Sequence, residues 1–194
     1  MGRPLPGTRM AILDEDGCTL PAGKKGQLAV LLPNPQLMIG YWNDPERTAA
    51  TRSSHLGTEF FLTGDMASMD EDGYIFYAGR VDDIISSAGY RIGPMEVENA
   101  LMEHPDVVEC AVVGSPDPER GEVVKAFVLL RPDARPGDDL ARELQEYVKR
   151  TTAPYKYPRI IEFVDQLPKT ASGKLLRRVL RNREYQDKLG RIPA

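Results

Sequence analysis

Residues 79–98, GRVDDIISSAGYRIGPMEVE, divide the chain into two parts with different folding patterns. The stretch sets Arg80, Asp82, Asp83, Arg91, Glu96 and Glu98 among residues that are otherwise mostly small or apolar. Gly89 and Gly93 bracket Tyr90, Arg91 and Ile92, and Pro94 then opens a helical pattern. Glycine takes backbone conformations that are closed to other residues, and proline suits the first turn of a helix. Permissive backbone flanked by fixed charges suits a loop that meets a ligand or moves.

The part before this stretch reads as short strands. Apolar runs at 8–13, 26–32, 60–62 and 74–77 are separated by turn signals such as Asp14-Glu15-Asp16-Gly17 and residues 70–73. Asp44 before Pro45 signs the start of a short polar helix reaching about Ala50. Residues 52–58 read as a loop, and the 60–62 run as ending at Thr63-Gly64-Asp65. About five short strands with almost no helix to cover them look incomplete as a domain.

The part after it looks self-sufficient. Helices are expected at 94–103, after an N-cap at Asp138 or Asp139 with Leu140, Leu144, Tyr147 and Val148 on one face, and from Lys174 to about Tyr185, with strands at 109–115, 123–130 and 160–164. The last helix would turn Leu175, Leu176, Val179 and Leu180 inward. The expected class is α+β: a small C-terminal domain with a three-stranded sheet and helices, preceded by a mostly β subdomain.

Charge is informative by its distribution. The net charge is −4, yet residues 169–194 hold eight Lys and Arg against two acids, +6, which leaves −10 on the rest. A basic end on an acidic body suits an anionic ligand. Nucleic acid fits poorly, because only Tyr185 interleaves the arginines. Two distant cysteines, Cys18 and Cys110, and two histidines, His55 and His104, offer neither a disulfide framework nor a Cys/His metal site. Cys110 reads as a small buried apolar residue. No apolar run is long enough to span a membrane, and no signal peptide is visible, so a cytoplasmic, reducing compartment is expected.

Four segments in order carry a resemblance over nearly the whole chain: GYWNDPERT (40–48), FFLTGD (60–65), the 79–98 stretch, and PKTASGK (168–174). Together they resemble the adenylate-forming superfamily of acyl-CoA synthetases, peptide-synthetase adenylation domains and firefly-type luciferases. The runs at 120–130 and 151–159 look most like medium-chain acyl-CoA synthetases. The resemblance implies that residues 1–81 are the end of a larger N-terminal adenylation domain. It implies that 82–194 are a mobile C-terminal domain, and that the chain is a C-terminal fragment, inactive alone.

The same resemblance assigns roles. Lys174 matches the catalytic lysine that bridges acyl carboxylate and ATP α-phosphate. Read by itself, Lys174 is a solvated lysine at a turn. A P-loop, GxxxxGK[ST], fails here because Pro168 stands where its first glycine would be and Leu175 follows the lysine. Asp65 matches the aspartate that binds the ribose hydroxyls, and Arg80 and Arg91 match nucleotide-contacting arginines. Their plain alternatives are ion pairs, Arg80 with Asp82 or Asp83 and Arg91 with Glu96 or Glu98. Asp82 matches the hinge. Ser87, Gly89 and Tyr90 match the path of CoA pantetheine, and a side chain at Gly89 would block it. Lys169 reads as solvated, and Arg177, Arg178, Arg181 and Arg183 as a solvated face or a site for CoA phosphates. Ser86-Ser87-Ala88 stand where luciferase-like relatives carry lysines, which favours an ordinary ligase.

The implied substrates are a carboxylic acid, ATP with Mg²⁺ and CoA, with the Mg²⁺ ligand, phosphate loop and acyl pocket expected outside this stretch. The implied partner is the N-terminal domain of the same protein. The alternatives are a non-catalytic nucleotide- or partner-binding module and a peptide-synthetase-type adenylation domain.

Overall fold

Turn chemistry organises the first sheet. In the computed structural model, which describes residues 1–191, Asp14 Oδ1 accepts hydrogen bonds from the backbone N–H groups of Asp16 and Cys18 at 3.0 and 2.8 Å. Gly17 supplies the positive φ, +80°, that closes this turn. On either side run β1 (Met10–Leu13) and β2 (Lys25–Leu31). The other elements are α1 (Pro45–Ala50), β3 (Arg52–His55), β4 (Thr58–Met69) and β5 (Ile75–Arg80). The five-stranded sheet is antiparallel in the order β1-β2-β4-β3, with β5 also on β4. Asp44 caps α1, accepting from the N–H of Arg47 at 2.9 Å.

Neighbouring residues on a strand point to opposite faces, and here both faces are apolar. Ala11, Leu13, Ala29 and Phe60 cluster on one, and Ile12, Leu28, Ala67 and Ile75 on the other. Two expectations change. Residues 52–55 are not loop: Arg-Ser-Ser-His has no apolar pattern and is a strand because it pairs with β4. β4 does not stop at Asp65. It bulges, three residues (Thr63, Gly64, Asp65) standing opposite Leu28 alone, with Gly64 at φ +76°. A bulge re-aims side chains without ending the strand.

Contacts divide the chain into two units, Met1–Asp82 and a second beginning at Asp83. The last three residues of the expected small domain, 192–194, lie outside the described residues. The second unit contains β6 (Ile85–Ser87), β7 (Tyr90–Ile92), α2 (Pro94–Met102), β8 (Val107–Asp117), β9 (Gly121–Leu130), α3 (Asp138–Thr151), β10 (Ile160–Phe163) and α4 (Arg177–Leu189). Its sheet has five strands rather than three. β9 is central, antiparallel to β8 and β6 and parallel to β10, and β7 closes a hairpin with β6. The two added strands come from the 79–98 stretch, whose polar residues hid them. The fold is mixed α and β.

Both faces of β9 are covered. Val124, Ala126 and Val128 pack with Val97, Ala100 and Leu101 of α2 and Leu140, Leu144 and Val148 of α3. Phe127 faces the other way, with Ala111, Val113, Leu167 and Leu180 of α4. Full burial of such a side chain contributes about 1.5–3 kcal/mol. Cys110 is 4% exposed, as the small apolar residue expected, and burial, then the Glu98 charge, push its thiol up to about 12.

Polar groups fix α4. Lys125 Nζ donates to Glu184 Oε1 at 2.6 Å and lies 2.8 Å from Glu162, while Ser115 Oγ donates to Glu184 Oε2 at 2.8 Å. Two local expectations fail. Gly137, not an aspartate, sits at the N-cap of α3, and Asp138 and Asp139 occupy its first turn, where negative charge complements the helix dipole. α4 begins at Arg177, so Lys174 and Leu175 precede it, and Val179 is half exposed.

Candidate functional site

In the first unit the bulge of β4 and the end of β5 bring three expected site residues together. Asp65 and Arg80 are register partners. Arg80 Nη1 donates to Asp65 Oδ1 at 3.0 Å and to Thr63 O at 3.2 Å, and Nη2 stands 3.7 Å from Asp82. Gly64 is required by contact as well as by its φ, since a Cβ there would lie 2.7 Å from Arg80 Nη2. Burial opposes the charge on Arg80, but the Asp65 hydrogen bond and the Asp82 and Asp65 charges outweigh it, so its pKa is raised. The guanidinium donates to one oxygen of Asp65, and Oδ2 has no hydrogen bond among the described residues. Asp82 lies in a 3-10 turn, Val81–Asp83.

In the second unit Lys174 ends a braced turn. Thr170 N donates to Lys174 O at 2.8 Å, Gly173 N to Thr170 O at 2.9 Å, and Lys174 N to Thr170 Oγ1 at 3.0 Å. Lys169 bridges to Leu175 below the tip, and Leu176 N donates to Pro168 O at 2.8 Å. Gly173, at φ +81°, makes the reversal possible. Lys169 is exposed, in keeping with a solvated residue, and its ammonium also pairs with Glu109 at 2.6 Å, which ties the turn to β8. The Lys174 ammonium is exposed and has no partner among the described residues.

The expected CoA-path residues form the β6–β7 hairpin. Ser87 pairs with Tyr90 and Gly121 and is 6% exposed. Ala88 and Gly89 make a two-residue turn with φ of +49° and +82°, the positive pair of a type I′ turn. A Cβ at Gly89 would meet nothing within 4 Å, so substitution there costs backbone strain rather than a clash with this unit. Tyr90 stacks on Tyr155, centroids 4.4 Å apart and planes 17° off parallel. Arg91 is exposed on β7. Glu96 is paired by Lys156 at 2.7 Å, and Glu98 by Arg177 at 2.5 Å.

Sequence reasoning missed Tyr155, Thr170 and Thr63. Tyr155 sits in the Pro-bounded 151–159 run, whose exposed aromatic was the available signal. Thr170 stands four residues before the lysine, and nothing in the sequence signals its contact. The basic helix is partly spoken for: Arg177 binds Glu98 and Arg183 binds Glu162. Among the described residues no group of three or more His, Cys, Asp or Glu could share a metal ion. No helix among them is long and apolar enough to cross a membrane.

Residues 96–174, which run from α2 to the exposed lysine, match the family model of the AMP-binding enzyme C-terminal domain. The chain carries an AMP-binding enzyme C-terminal domain. The match ends on Lys174, the last residue of the braced turn. The chain is 54% identical over 190 residues to the mitochondrial acyl-coenzyme A synthetase ACSM3 of Mus musculus, covering 95% of this chain and 32% of that protein. It is 52% identical over 190 residues to the mitochondrial ACSM5 of Rattus norvegicus, with the same coverage. The crystal structure of ATP-bound MatB from Rhodopseudomonas palustris superposes with a TM-score of 0.84 at 34% identity, over 96% of this chain and 36% of that one. The chain thus spans about a third of the length of each. AMP-binding C-terminal domain and relatives agree with the family read from the four motifs.

Proposed function

We propose that this AMP-binding C-terminal domain works in an acyl-CoA synthetase. The enzyme activates a carboxylic acid, of medium-chain type, with ATP to an acyl-adenylate and then passes the acyl group to CoA. The Lys174 ammonium, exposed and without a partner among the described residues, on a turn fixed at both ends, carries this reading. Attack of a carboxylate on the α-phosphorus gathers negative charge. An ammonium brought to that charge in a water-poor site stabilises it, typically by about 3–4 kcal/mol.

The other groups have supporting roles. Asp65 offers an open carboxylate oxygen to ribose hydroxyls, and Arg80 keeps that carboxylate oriented. Arg91 meets phosphate from the hairpin. In the second half-reaction the hairpin replaces the lysine turn, with Ser87, Gly89 and Tyr90 beside the pantetheine arm and Asp82 absorbing the backbone change. Residues 1–81 are then the end of the larger domain and 82–194 the moving one. Phosphate loop, acyl pocket and the Mg²⁺ that accompanies ATP belong to that larger domain. Two free thiols, Cys18 and Cys110, suit a reducing compartment, for which we propose the cytoplasm.

Lys174→Ala in the full-length enzyme tests this. Adenylation falls about 10²–10³-fold, while thioester formation from supplied acyl-adenylate is spared. Equal loss of both steps contradicts the role. The exposed side chain can go with a stability change of no more than about 0.5 kcal/mol. This chain alone is expected to give no acid-dependent pyrophosphate exchange.

A further inference from the structure

Two carboxylates that the reaction itself does not use sit behind the two working faces of the second unit. Glu98, on α2, is 5% exposed. Its Oε1 accepts from Val112 N at 2.9 Å and Arg177 Nε at 2.8 Å, and its Oε2 from Arg177 Nη2 at 2.5 Å. Among the described residues β8 pairs only with β9, so the Val112 N–H faces outward and needs this acceptor. Arg177 Nη1 also stands 3.8 Å from Asp83, the residue after the candidate hinge. Arg177 opens α4 three residues beyond Lys174. One buried carboxylate therefore holds a guanidinium in a planar two-point grip, between the hinge side and the lysine turn.

Glu122, on β9, holds the other face. Its Oε2 accepts from Ser86 N at 2.9 Å, on the first arm of the hairpin, and its Oε1 from Tyr185 OH at 2.8 Å, on α4. The carboxylate lies on bare backbone: a Cβ at Gly114 would be 2.3 Å from Oε1. Burial and this carboxylate push the Tyr185 hydroxyl up to about 12, so it stays a donor. α4 thus receives both grips, at its first residue and two turns on.

Resting on the acyl-CoA synthetase reading, we propose that Glu98 and Glu122 are positioning residues with separate clients. Glu98, through Arg177, sets the Lys174 turn for adenylation. Glu122, through Ser86 and Tyr185, sets the β6–β7 hairpin for thioester formation. A misplacement of about 1 Å in a reacting group can cost up to about a hundredfold in rate, so neither carboxylate needs to touch substrate to matter.

The two half-reactions of the full-length enzyme are measured separately. Glu98→Gln keeps an acceptor for Val112 but loses the charge facing Arg177. Adenylation is expected to slow about tenfold or more, with thioester formation from supplied acyl-adenylate within about twofold of wild type. Arg177→Lys keeps the charge without the fork and gives a smaller loss of the same kind. It decides the matter if Glu98→Gln does not fold. Glu122→Gln is expected to do the reverse, slowing the thioester step and sparing adenylation, with Tyr185→Phe the milder companion. Arg142→Ala, at an exposed pair with Asp139, leaves both steps unchanged. Equal slowing of both steps by either carboxylate variant, or no slowing, overturns the assignment. Lys174→Ala in the same assay separates the two levels. If it splits the half-reactions and the carboxylate variants do not, Glu98 and Glu122 have no positioning role; if it fails to split them, the catalytic reading itself falls.

Discussion

Lys125→Met offers a quantitative test of what holds α4 to the sheet. Lys125 is 8% exposed and Glu184 3%. The mutation removes the ammonium 2.6 Å from Glu184 and leaves that buried carboxylate with the Ser115 hydroxyl at 2.8 Å and Arg183 at 4.0 Å. Leaving a buried charge unpaired costs about 3–5 kcal/mol. Arg183 is partly in water, and a charge at that distance in high dielectric returns about 1 kcal/mol. Glu162 retains Arg183 at 2.6 Å, so its loss is small. The net cost is about 2–4 kcal/mol. Adding Glu184→Leu removes the stranded charge. Since a buried pair and well-packed apolar residues are often of similar stability, the double variant is expected to regain most of the loss. Native-state hydrogen exchange at the β9 amides reads the stability of this unit directly. A single-variant loss under about 1 kcal/mol, or a double-variant loss equal to the sum of the two singles, refutes the claim that this pair is desolvated and coupled.

Two solution properties follow from the environments of single groups. Cys110, its thiol pushed up to about 12 by burial and then by Glu98, is expected to resist alkylation at about pH 8 in the folded chain and to react in urea; labelling of the folded chain at the rate of an exposed thiol contradicts its burial. Glu162 feels burial, which raises its pKa, but the hydrogen bonds from Lys125 and Arg183 prevail and its pKa is lowered from 4.5. Its contribution is present above that value and disappears as pH falls through the depressed one. The stability gap between wild type and Glu162→Gln should therefore be open at about pH 7 and close as pH falls through the depressed pKa; a gap independent of pH would contradict the pairing.

What the sequence could reveal was set by how local each signal is. Periodic apolar runs located β1, β2, β8, β9, α2 and α3 within a few residues, because burial of one face shapes both sequence and structure. β3 was invisible because Arg52-Ser53-Ser54-His55 is a strand through its ladder to β4 rather than through burial. The β6–β7 hairpin was hidden for a related reason: its turn uses Ala88 in a conformation normally left to glycine or asparagine. In the candidate site, residue identities came from motif order, and side-chain pairing could not. Arg80 was weighed against a partner nearby in sequence, whereas its shortest ion pair is Asp65, fifteen residues back and opposite it across the strands. The Glu98–Arg177 grip spans 79 positions, a separation at which a single sequence carries no pairing signal. The pair of Lys169 with Glu109, 60 positions apart, was not legible for the same reason.

The central claim is that one ammonium and one hairpin take turns at the same nucleotide. Crystals of the full-length enzyme, one with ATP and a carboxylate inhibitor and one with an adenylate analogue and CoA, test it most directly. The first is expected to place Lys174 Nζ within ion-pair reach of the α-phosphate. The second is expected to withdraw it and bring Ser87, Gly89 and Tyr90 against the pantetheine arm. Lys174 lying far from the phosphate in both crystals would contradict the account.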